Sequence, residues 1–117
     1  MLSIESVNYD IVQGSTWQLT LTITDSATPP VPIDLTGYNF IMTVRDRDGG
    51  SVICATVSLG SGIIVIEPGT IHIELTPAQT KNFSLPRAAY EIISIDGSLR
   101  RKILGIGWFK VKAGSIL

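Results

Sequence analysis

The single histidine, His72, limits the acid-base chemistry available to this chain of 117 residues. A Ser-His-Asp triad would have to be built around it, but the sequence contains no Gly-x-Ser-x-Gly turn or other nucleophile context. Alternation of apolar and polar residues places His72 on the outward face of a predicted strand, which favours a solvated residue over an interface or ligand residue. The carboxylates that could form a catalytic pair lie in predicted turns or on outward faces: Asp46, Asp48, Glu67 and Glu74. The sequence therefore predicts no enzymatic activity and no catalytic residue.

Two short runs have some features of ligand-binding motifs. Asp46-Arg47-Asp48-Gly49 begins like a calcium loop, but it lacks the third acidic position and the distal glutamate, and Arg47 would repel a cation. Gly105-Ile106-Gly107 is followed by Trp108 in a predicted strand, whereas a nucleotide-binding glycine motif precedes a helix. We therefore predict no metal and no cofactor, and interpret these glycines as marking a bulge or close packing.

The single cysteine, Cys54, cannot form a disulfide within the chain. It lies in the apolar run Val52-Ile53-Cys54-Ala55, which is typical of a small core side chain. An inert buried thiol is therefore favoured over a reactive one.

The basic and aromatic residues that have no catalytic context indicate protein-protein contacts. Arg100-Arg101-Lys102 is the only basic run, and it follows a predicted hairpin turn, either as a solvated tip or as a salt-bridging contact to a neighbouring subunit. Trp17 is in register with core-facing aliphatic residues, whereas Trp108 could pack in the core or stack on a sugar. The predicted interface residues are the basic run, Trp108, two prolines of a predicted loop and two apolar residues near the end of the chain. They are Pro29, Pro30, Arg100, Arg101, Lys102, Trp108, Ile116 and Leu117.

Composition restricts the partners. Lys and Arg total 9 against 10 Asp and Glu, so the chain lacks a broad basic field for nucleic acid. No run approaches the ~20 apolar residues of a membrane span, and the first residues lack a signal-peptide pattern. Only 16% of the residues are charged and the mean hydropathy is +0.34, which predicts apolar surface covered by partner proteins. We predict a homo-oligomer with no nucleic-acid or membrane partner and no small-molecule ligand.

Alternation with a period of two residues predicts strands along most of the chain. It is clearest from Thr16 to Thr24, where the odd-numbered residues from Trp17 onward face inward. A proline-rich loop is predicted over residues 25–36. In the following turn, Asp34 and Thr36 can bond nearby N–H groups and Gly37 can take a positive φ. The next strand faces inward with its even-numbered residues, but Ile41 breaks this pattern.

Turn chemistry predicts how the strands connect. Asp48-Gly49-Gly50, Pro68-Gly69 and Asp96-Gly97 are hairpin turn signals, and Gly60-Ser61-Gly62 interrupts a ladder. Thr76-Pro77-Ala78-Gln79 predicts a capping box that begins one or two turns of helix. The sequence thus predicts a single all-β domain over 1–117. We expect an antiparallel β-sandwich, Ig-like or jelly-roll-like, with seven to eight strands, one short helix near 77–83 and an apolar C-terminal arm over 113–117.

Three segments resemble small structural proteins of tailed bacteriophages and prophages. The first is Pro-Ile-Asp-Leu-Thr-Gly-Tyr over residues 32–38, which feeds a strand ending in Val-Arg. The second is a strand followed by Leu-Thr-x-x-Gln-Thr over residues 69–80, and the third is the closing hairpin from Tyr90 through Asp96-Gly97 to Gly105. They occur in the expected order over most of residues 16–112. The resemblance implies a virion component of the tail, baseplate or neck, assembled in the host bacterial cytoplasm with other virion proteins.

Three classes of function are therefore compatible with the sequence. A non-enzymatic virion structural protein is favoured by the resemblance and by the apolar composition. A carbohydrate- or receptor-binding β-sandwich on a phage tail is the alternative, with Trp108 as its stacking residue. An enzyme would require a polar pocket around His72.

Overall fold

The fold consists almost entirely of strands in this computed structural model, which describes residues 5–6, 8–24, 29, 31–47, 50 and 52–114. The strands are β1 (Glu5–Ser6), β2 (Tyr9–Val12), β3 (Trp17–Thr22), β4 (Asn39–Arg45), β5 (Ile53–Leu59), β6 (Gly62–Glu67), β7 (Thr70–Leu75), β8 (Arg87–Ile95) and β9 (Arg101–Lys112). One short helix, α1 (Pro77–Thr80), lies between β7 and β8. The all-β class predicted from the sequence is confirmed.

The strands form one hydrogen-bonded sheet in the order β1-β9-β8-β4-β5-β6-β7-β3, with β2 also paired to β9. The link between β5 and β6 consists only of Ser58 with Gly62 and Leu59 with Ile63. This corner divides the sheet into a long half (β1, β2, β9, β8, β4 and β5) and a short half (β6, β7 and β3). Buried side chains from both halves form a single core cluster. The two halves therefore pack face to face as layers, joined where the chain bends from one to the other.

The strand count is close to the expected number of about seven to eight, and the pairing directions add detail to the predicted sandwich. The structure has nine strands, because β1 and β2 are separate pieces along the same edge of β9. Both run parallel to β9, and the short β5-β6 link is also parallel, whereas the other pairings are antiparallel. No tight turn joins β1 or β2 to β9, so chain connectivity does not impose an antiparallel direction there.

Two glycines allow the corner between the halves. Gly60 and Gly62 have φ values of 84° and 102°, a region that side-chain-bearing residues rarely occupy. Within this corner, the Gly60 N–H donates to the Ile63 carbonyl at 2.8 Å and the Ser61 N–H donates to the Ser58 carbonyl at 2.8 Å. The glycine-rich interruption predicted from the sequence is therefore the point at which the chain changes layers.

The core is densest around Phe109, which is fully buried. Its ring centroid lies 5.1 Å from that of Trp17, 5.2 Å from that of Tyr90, 5.4 Å from that of Phe83 and 6.2 Å from that of Tyr9. These rings come from β3, β8, the segment after α1, and β2. The cluster therefore joins the two ends of the strand order, and the curled sheet nearly closes on itself.

Helix α1 begins with the capping box predicted at Thr76. The Gln79 N–H donates to Thr76 Oγ1 at 3.3 Å, and the Thr76 N–H donates to Gln79 Oε1 at 2.9 Å. The buried Thr80 hydroxyl donates to the Ser15 carbonyl at 2.7 Å and accepts from the Gly14 N–H at 3.1 Å. The helix is shorter than the predicted segment, because the chain turns after Thr80 and buries Phe83 in the core.

The turn that delivers β4 has the predicted chemistry. Asp34 Oδ1 accepts the Thr36 N–H at 3.0 Å and the Thr36 hydroxyl at 2.7 Å. The Tyr38 N–H donates to the Leu35 carbonyl at 3.0 Å, and Gly37 has a φ of 83°. These are the features of a type II turn. Beyond it, Phe40, Met42 and Val44 are fully buried, as the alternation predicts.

Both turn carboxylates, Asp34 and Asp96, are held in their ionised form. The backbone N–H of Thr36, followed by its hydroxyl, lowers the pKa of Asp34 below its ordinary value of 3.8. The backbone N–H of Arg100 is the main cause that lowers the pKa of Asp96. A carboxylate with a lowered folded-state pKa stabilises the fold above its unfolded-state pKa, and this contribution is lost as the pH falls through the folded-state pKa.

We therefore expect thermal stability to fall as the pH drops below about 4, more steeply in the native chain than in the Asp34→Asn, Asp96→Asn double variant. Asparagine keeps an acceptor oxygen but does not titrate. Melting temperatures across the acidic range measure the effect, with the exposed Asp10→Asn as the control for loss of one charge. Parallel acid profiles for the native chain and the double variant would contradict this assignment.

The β8-β9 hairpin turns at a different residue from the one predicted. The Asp96 N–H donates to the Arg100 carbonyl and the Leu99 N–H to the Asp96 carbonyl, each at 3.0 Å, so Gly97, Ser98 and Leu99 form the tip. Leu99 is the left-handed residue, with a φ of 62°, and its side chain is 81% exposed. The predicted Asp96-Gly97 turn signal does mark the hairpin, but a two-residue turn of the kind that Asp-Gly favours does not form, because Asp96 instead caps the Ser98 and Arg100 N–H groups.

Leu99→Gly should stabilise the fold, because glycine removes the strain of a left-handed leucine at the cost of some unfolded-chain entropy. The expected gain in the free energy of unfolding is about 0.5–1 kcal/mol. Leu99→Ala is the matched control, since it removes the exposed side chain but keeps the strain. Denaturant titration should rank the glycine variant above both others, and an alanine variant equal to or above the glycine variant would refute this reading.

Candidate interaction surface

The outward side chains of β4, β8 and β9 form a flat apolar surface that we call the Trp108 face. Strand register aligns Ile41 with Ile93 and Ile93 with Ile103 across the three strands. A second row, parallel to the first, contains Ala89 and Trp108. Such directly opposed residues on neighbouring strands are in packing distance. The face therefore presents aliphatic and aromatic groups where alternation would normally place polar residues.

The apolar part of the Trp108 face is accessible. Ile103 is 38% exposed and Ile106 is 40% exposed, while Ile41, Ile93 and Trp108 are half-buried. A register shift between Ile92 and Ile93 accommodates an extra residue of β9, so that Ile103 and Ile106 are outward while Leu104 and Gly105 are buried. The bulge expected from the glycines is present, and it is what brings Ile103 and Ile106 to the same face.

A groove of about 480 Å³ lies at the Trp108 end of this face, lined by Trp108, Arg87, Glu91, Ile103 and Ile106 among others. The Arg87 guanidinium carbon lies 4.9 Å from the centroid of the Trp108 ring. This cation-π contact restrains the indole, since the guanidinium is attracted to the ring face. The backbone N–H of Trp108 also donates to Asn8 Oδ1 at 3.1 Å, which ties β9 to the residue preceding β2.

The loop after β4 borders the groove. Arg45 Nη1 donates to the Gly50 carbonyl at 3.2 Å, and the Gly50 N–H donates to the Arg47 carbonyl at 2.9 Å. A side chain at position 50 would collide with Asp46 Oδ1, so glycine makes room for this carboxylate. Asp46 Oδ1 is buried and has no hydrogen-bond partner within the described chain.

Basic residues dominate the charges of the Trp108 face. By register and exposure, its outward charged side chains are Arg45, Arg87, Arg101, Lys110, Lys112 and Glu91. These three strands therefore carry five positive groups and one acidic group on this side, and Asp10 of the neighbouring β2 pairs with Lys110. A surface with an apolar centre and a charged rim has the anatomy of a protein-protein interface.

The predicted interface residues do not form one site. Trp108 lies in the groove, whereas Arg100, Arg101 and Lys102 are exposed at the hairpin tip and the start of β9. About six residues of strand, roughly 20 Å, separate these two groups. Pro29 is exposed in the loop before β4. Pro30, Ile116 and Leu117 lie outside the described residues, as does most of the predicted C-terminal arm.

The other residues considered as functional candidates have structural partners. Trp17 is half-buried against the core and makes the ring contacts with Tyr9 and Phe109. His72 faces outward as predicted and pairs with Thr20, with Nδ1 and Oγ1 3.2 Å apart. Cys54 is half-buried rather than fully buried, with its Sγ 3.7 Å from Ser84 Oγ.

Sequence reasoning missed the isoleucines of the Trp108 face. The break in alternation at Ile41 is the signal that could have found them, because an apolar residue at an outward position is the mark of a second packed face. The corresponding signals in β8 and β9 are hidden by the bulge, which shifts the inward and outward positions within β9.

Within the described ranges, no group of three or more His, Cys, Asp and Glu residues could hold a metal ion. The helical segment of this part of the chain has neither the length nor the apolar character of a transmembrane span. No family model and no curated protein matches the chain.

Proposed function

We propose that this protein is a non-enzymatic structural component of a tailed-phage virion and acts through contacts between subunits. The observation that carries the proposal is the Trp108 face, where exposed and half-buried isoleucines and a half-buried tryptophan lie on the outer side of a three-stranded layer. The ordered resemblance of three segments to small tail, baseplate or neck proteins supports the virion setting.

Apolar side chains that stay in contact with water forgo the free energy that burial against a partner would release. Burying an aliphatic side chain stabilises a complex by about 1.5–3 kcal/mol relative to full exposure, and the partly exposed side chains here would contribute a fraction of that each. Contiguous apolar groups rimmed by charge mark interaction sites on soluble proteins. The long half of the sheet holds them rigidly, because their neighbours along each strand are core residues.

The protein should be present at stoichiometric levels in particles purified from the phage or prophage that encodes it. Quantitative mass spectrometry of the particle band, after free protein has been removed, measures this. Ile106→Lys should lower incorporation at least severalfold, since it places a charge in the apolar centre while its cross-strand partner Glu91 tolerates the lysine.

Leu59→Lys is the matched control for that variant, because Leu59 is as exposed as Ile106, at 40%, and lies at the end of β5, outside the three strands of the Trp108 face. It should leave incorporation unchanged. Particles that lack the protein, or particles that incorporate Ile106→Lys as well as the native chain, would overturn the proposal.

A glycan-binding module on a phage tail is the second candidate, favoured by the groove in which Trp108, Arg87 and Glu91 combine an aromatic plane with charged hydrogen-bonding groups. Binding to a glycan array that Trp108→Ala abolishes would favour this role. Absence of glycan binding together with incorporation into particles would favour the structural role.

A further inference from the structure

The outer side of the short half of the sheet differs in charge from the Trp108 face. We call it the Glu74 face, and its outward residues are Gln18, Thr20 and Thr22 of β3, Ile64 of β6, and His72 and Glu74 of β7, with Glu67 at the end of β6. No lysine or arginine occurs in these three strands. The Glu74 carboxylate is fixed in place, because Gln18 Nε2 donates to its Oε1 at 2.7 Å.

The Glu74 face also carries exposed apolar groups. Ile64 is 51% exposed and Ile66, at a register shift in β6, is 52% exposed. Both side chains lie close in sequence to Glu67, so an apolar run ends in an acidic group along this strand. The pattern is the counterpart of the apolar and basic Trp108 face.

The two faces point in opposite directions. Inward residues of the long half, such as Phe40 and Ile92, and of the short half, such as Ile71 and Ile73, belong to one core cluster. The outward side chains of each layer must therefore lie on opposite sides of the molecule.

We propose that the Trp108 face of one copy binds the Glu74 face of a second copy, so that the chain assembles head to tail. Charge complementarity selects this occupant. Two Trp108 faces brought together would oppose five positive groups to five others, whereas a Glu74 face offers Glu67 and Glu74 around isoleucines. A contact between two different surfaces repeats from copy to copy, and it closes into a ring or extends into a filament. This inference rests on the proposed function and specifies its subunit contact.

Two variants each disable one face. Ile103→Glu puts a negative charge in the Trp108 face, where it would repel the Glu74 face. Ile64→Lys puts a positive charge in the Glu74 face, where it would repel the Trp108 face. Each variant alone should be monomeric at concentrations where the native chain forms larger species, with self-association weakened at least about tenfold. Sedimentation velocity with the native full-length chain as reference measures this.

Mixing the two variants is the decisive step. Each retains one intact face, so the mixture should form a 1:1 complex through these two faces. Leu59→Lys, in a strand that belongs to neither face, should assemble like the native chain, and added salt should weaken assembly because the charges at the rim are screened. Circular dichroism and denaturant titration confirm that each variant is folded.

Three outcomes would overturn the proposal. The native chain could remain monomeric at every concentration, the mixture could fail to dimerise although both variants are folded, or the variants could assemble as the native chain does. None of these results bears on whether particles contain the protein, which tests the proposed function separately.

Discussion

Replacing Phe109 with alanine should lower the free energy of unfolding by about 3–5 kcal/mol, because it removes a fully buried ring and leaves a cavity among packed aromatic groups. The lost ring contacts Trp17, Tyr90 and Phe83, which come from both layers. A domain of this size typically has about 5–15 kcal/mol of stability, so the loss is a large share of the total. Guanidinium chloride unfolding, followed by near-ultraviolet circular dichroism, measures it.

Phe109→Leu is the control, since it keeps most of the buried volume and should cost much less. Loss of the Phe109 ring should also disturb the Trp108 face. Phe109 and Trp108 are adjacent residues of β9, and the buried Phe109 ring holds this part of the strand against the core. A loss below about 1 kcal/mol for the alanine variant would contradict the view that this cluster joins the layers.

Gly62→Ala should destabilise the protein by about 2–4 kcal/mol. The residue has a φ of 102°, and an added Cβ would lie 2.7 Å from Val57 Cγ1 and 3.2 Å from the Glu74 carbonyl oxygen. Both the backbone strain and the collision act at the corner where β5 passes into β6. Thermal unfolding monitored by far-ultraviolet circular dichroism gives the difference.

Two other glycines, Gly60 and Gly97, separate the causes of that loss. Gly60 has a φ of 84° but has open space where a Cβ would be added, so Gly60→Ala should show the strain alone, about 1 kcal/mol. Gly97 has neither a positive φ nor a close neighbour, so Gly97→Ala should be nearly neutral. Equal losses at positions 60 and 62 would show that the collision with Val57 is absent.

Local chemistry predicts the elements that depend on nearby residues. The Asp34-Thr36-Gly37 turn, the capping box at Thr76 and the antiparallel pairing of β8 with β9 follow from hydrogen bonds or turn preferences within a few residues. Alternation likewise predicts the inward residues of β3 and β4. These features are encoded locally, so the sequence is sufficient to anticipate them.

Features that depend on contacts between distant parts of the chain could not be predicted from local sequence patterns. The parallel pairing of β2 with β9 joins residues about a hundred positions apart, and no sequence signal specifies its direction. At the β8-β9 tip, Asp96 could either enter a two-residue turn or cap a longer one. The capping hydrogen bonds to Ser98 and Arg100 decide for the longer turn and place Leu99 in the left-handed region.

The candidate surface is predicted only in part. Residue type alone makes Trp108 a candidate, but its neighbours on the face come from β4 and β8, and only strand register brings them together. The basic run at 100–102 is predicted to be a contact, yet of these residues only Arg101 aligns with an outward position of β8, because Lys102 aligns with the buried Ser94. The opposite charges of the two outer faces can be recognised only once the strands are placed in their layers.

Hydroxyl-radical footprinting of Trp108 in assembled particles, compared with the free protein, tests the central claim most directly. If the Trp108 face is the contact between subunits, oxidation of Trp108 should fall severalfold in particles, while exposed Leu99 serves as an internal reference for the dose. Equal oxidation of Trp108 in the free protein and in particles would contradict the account.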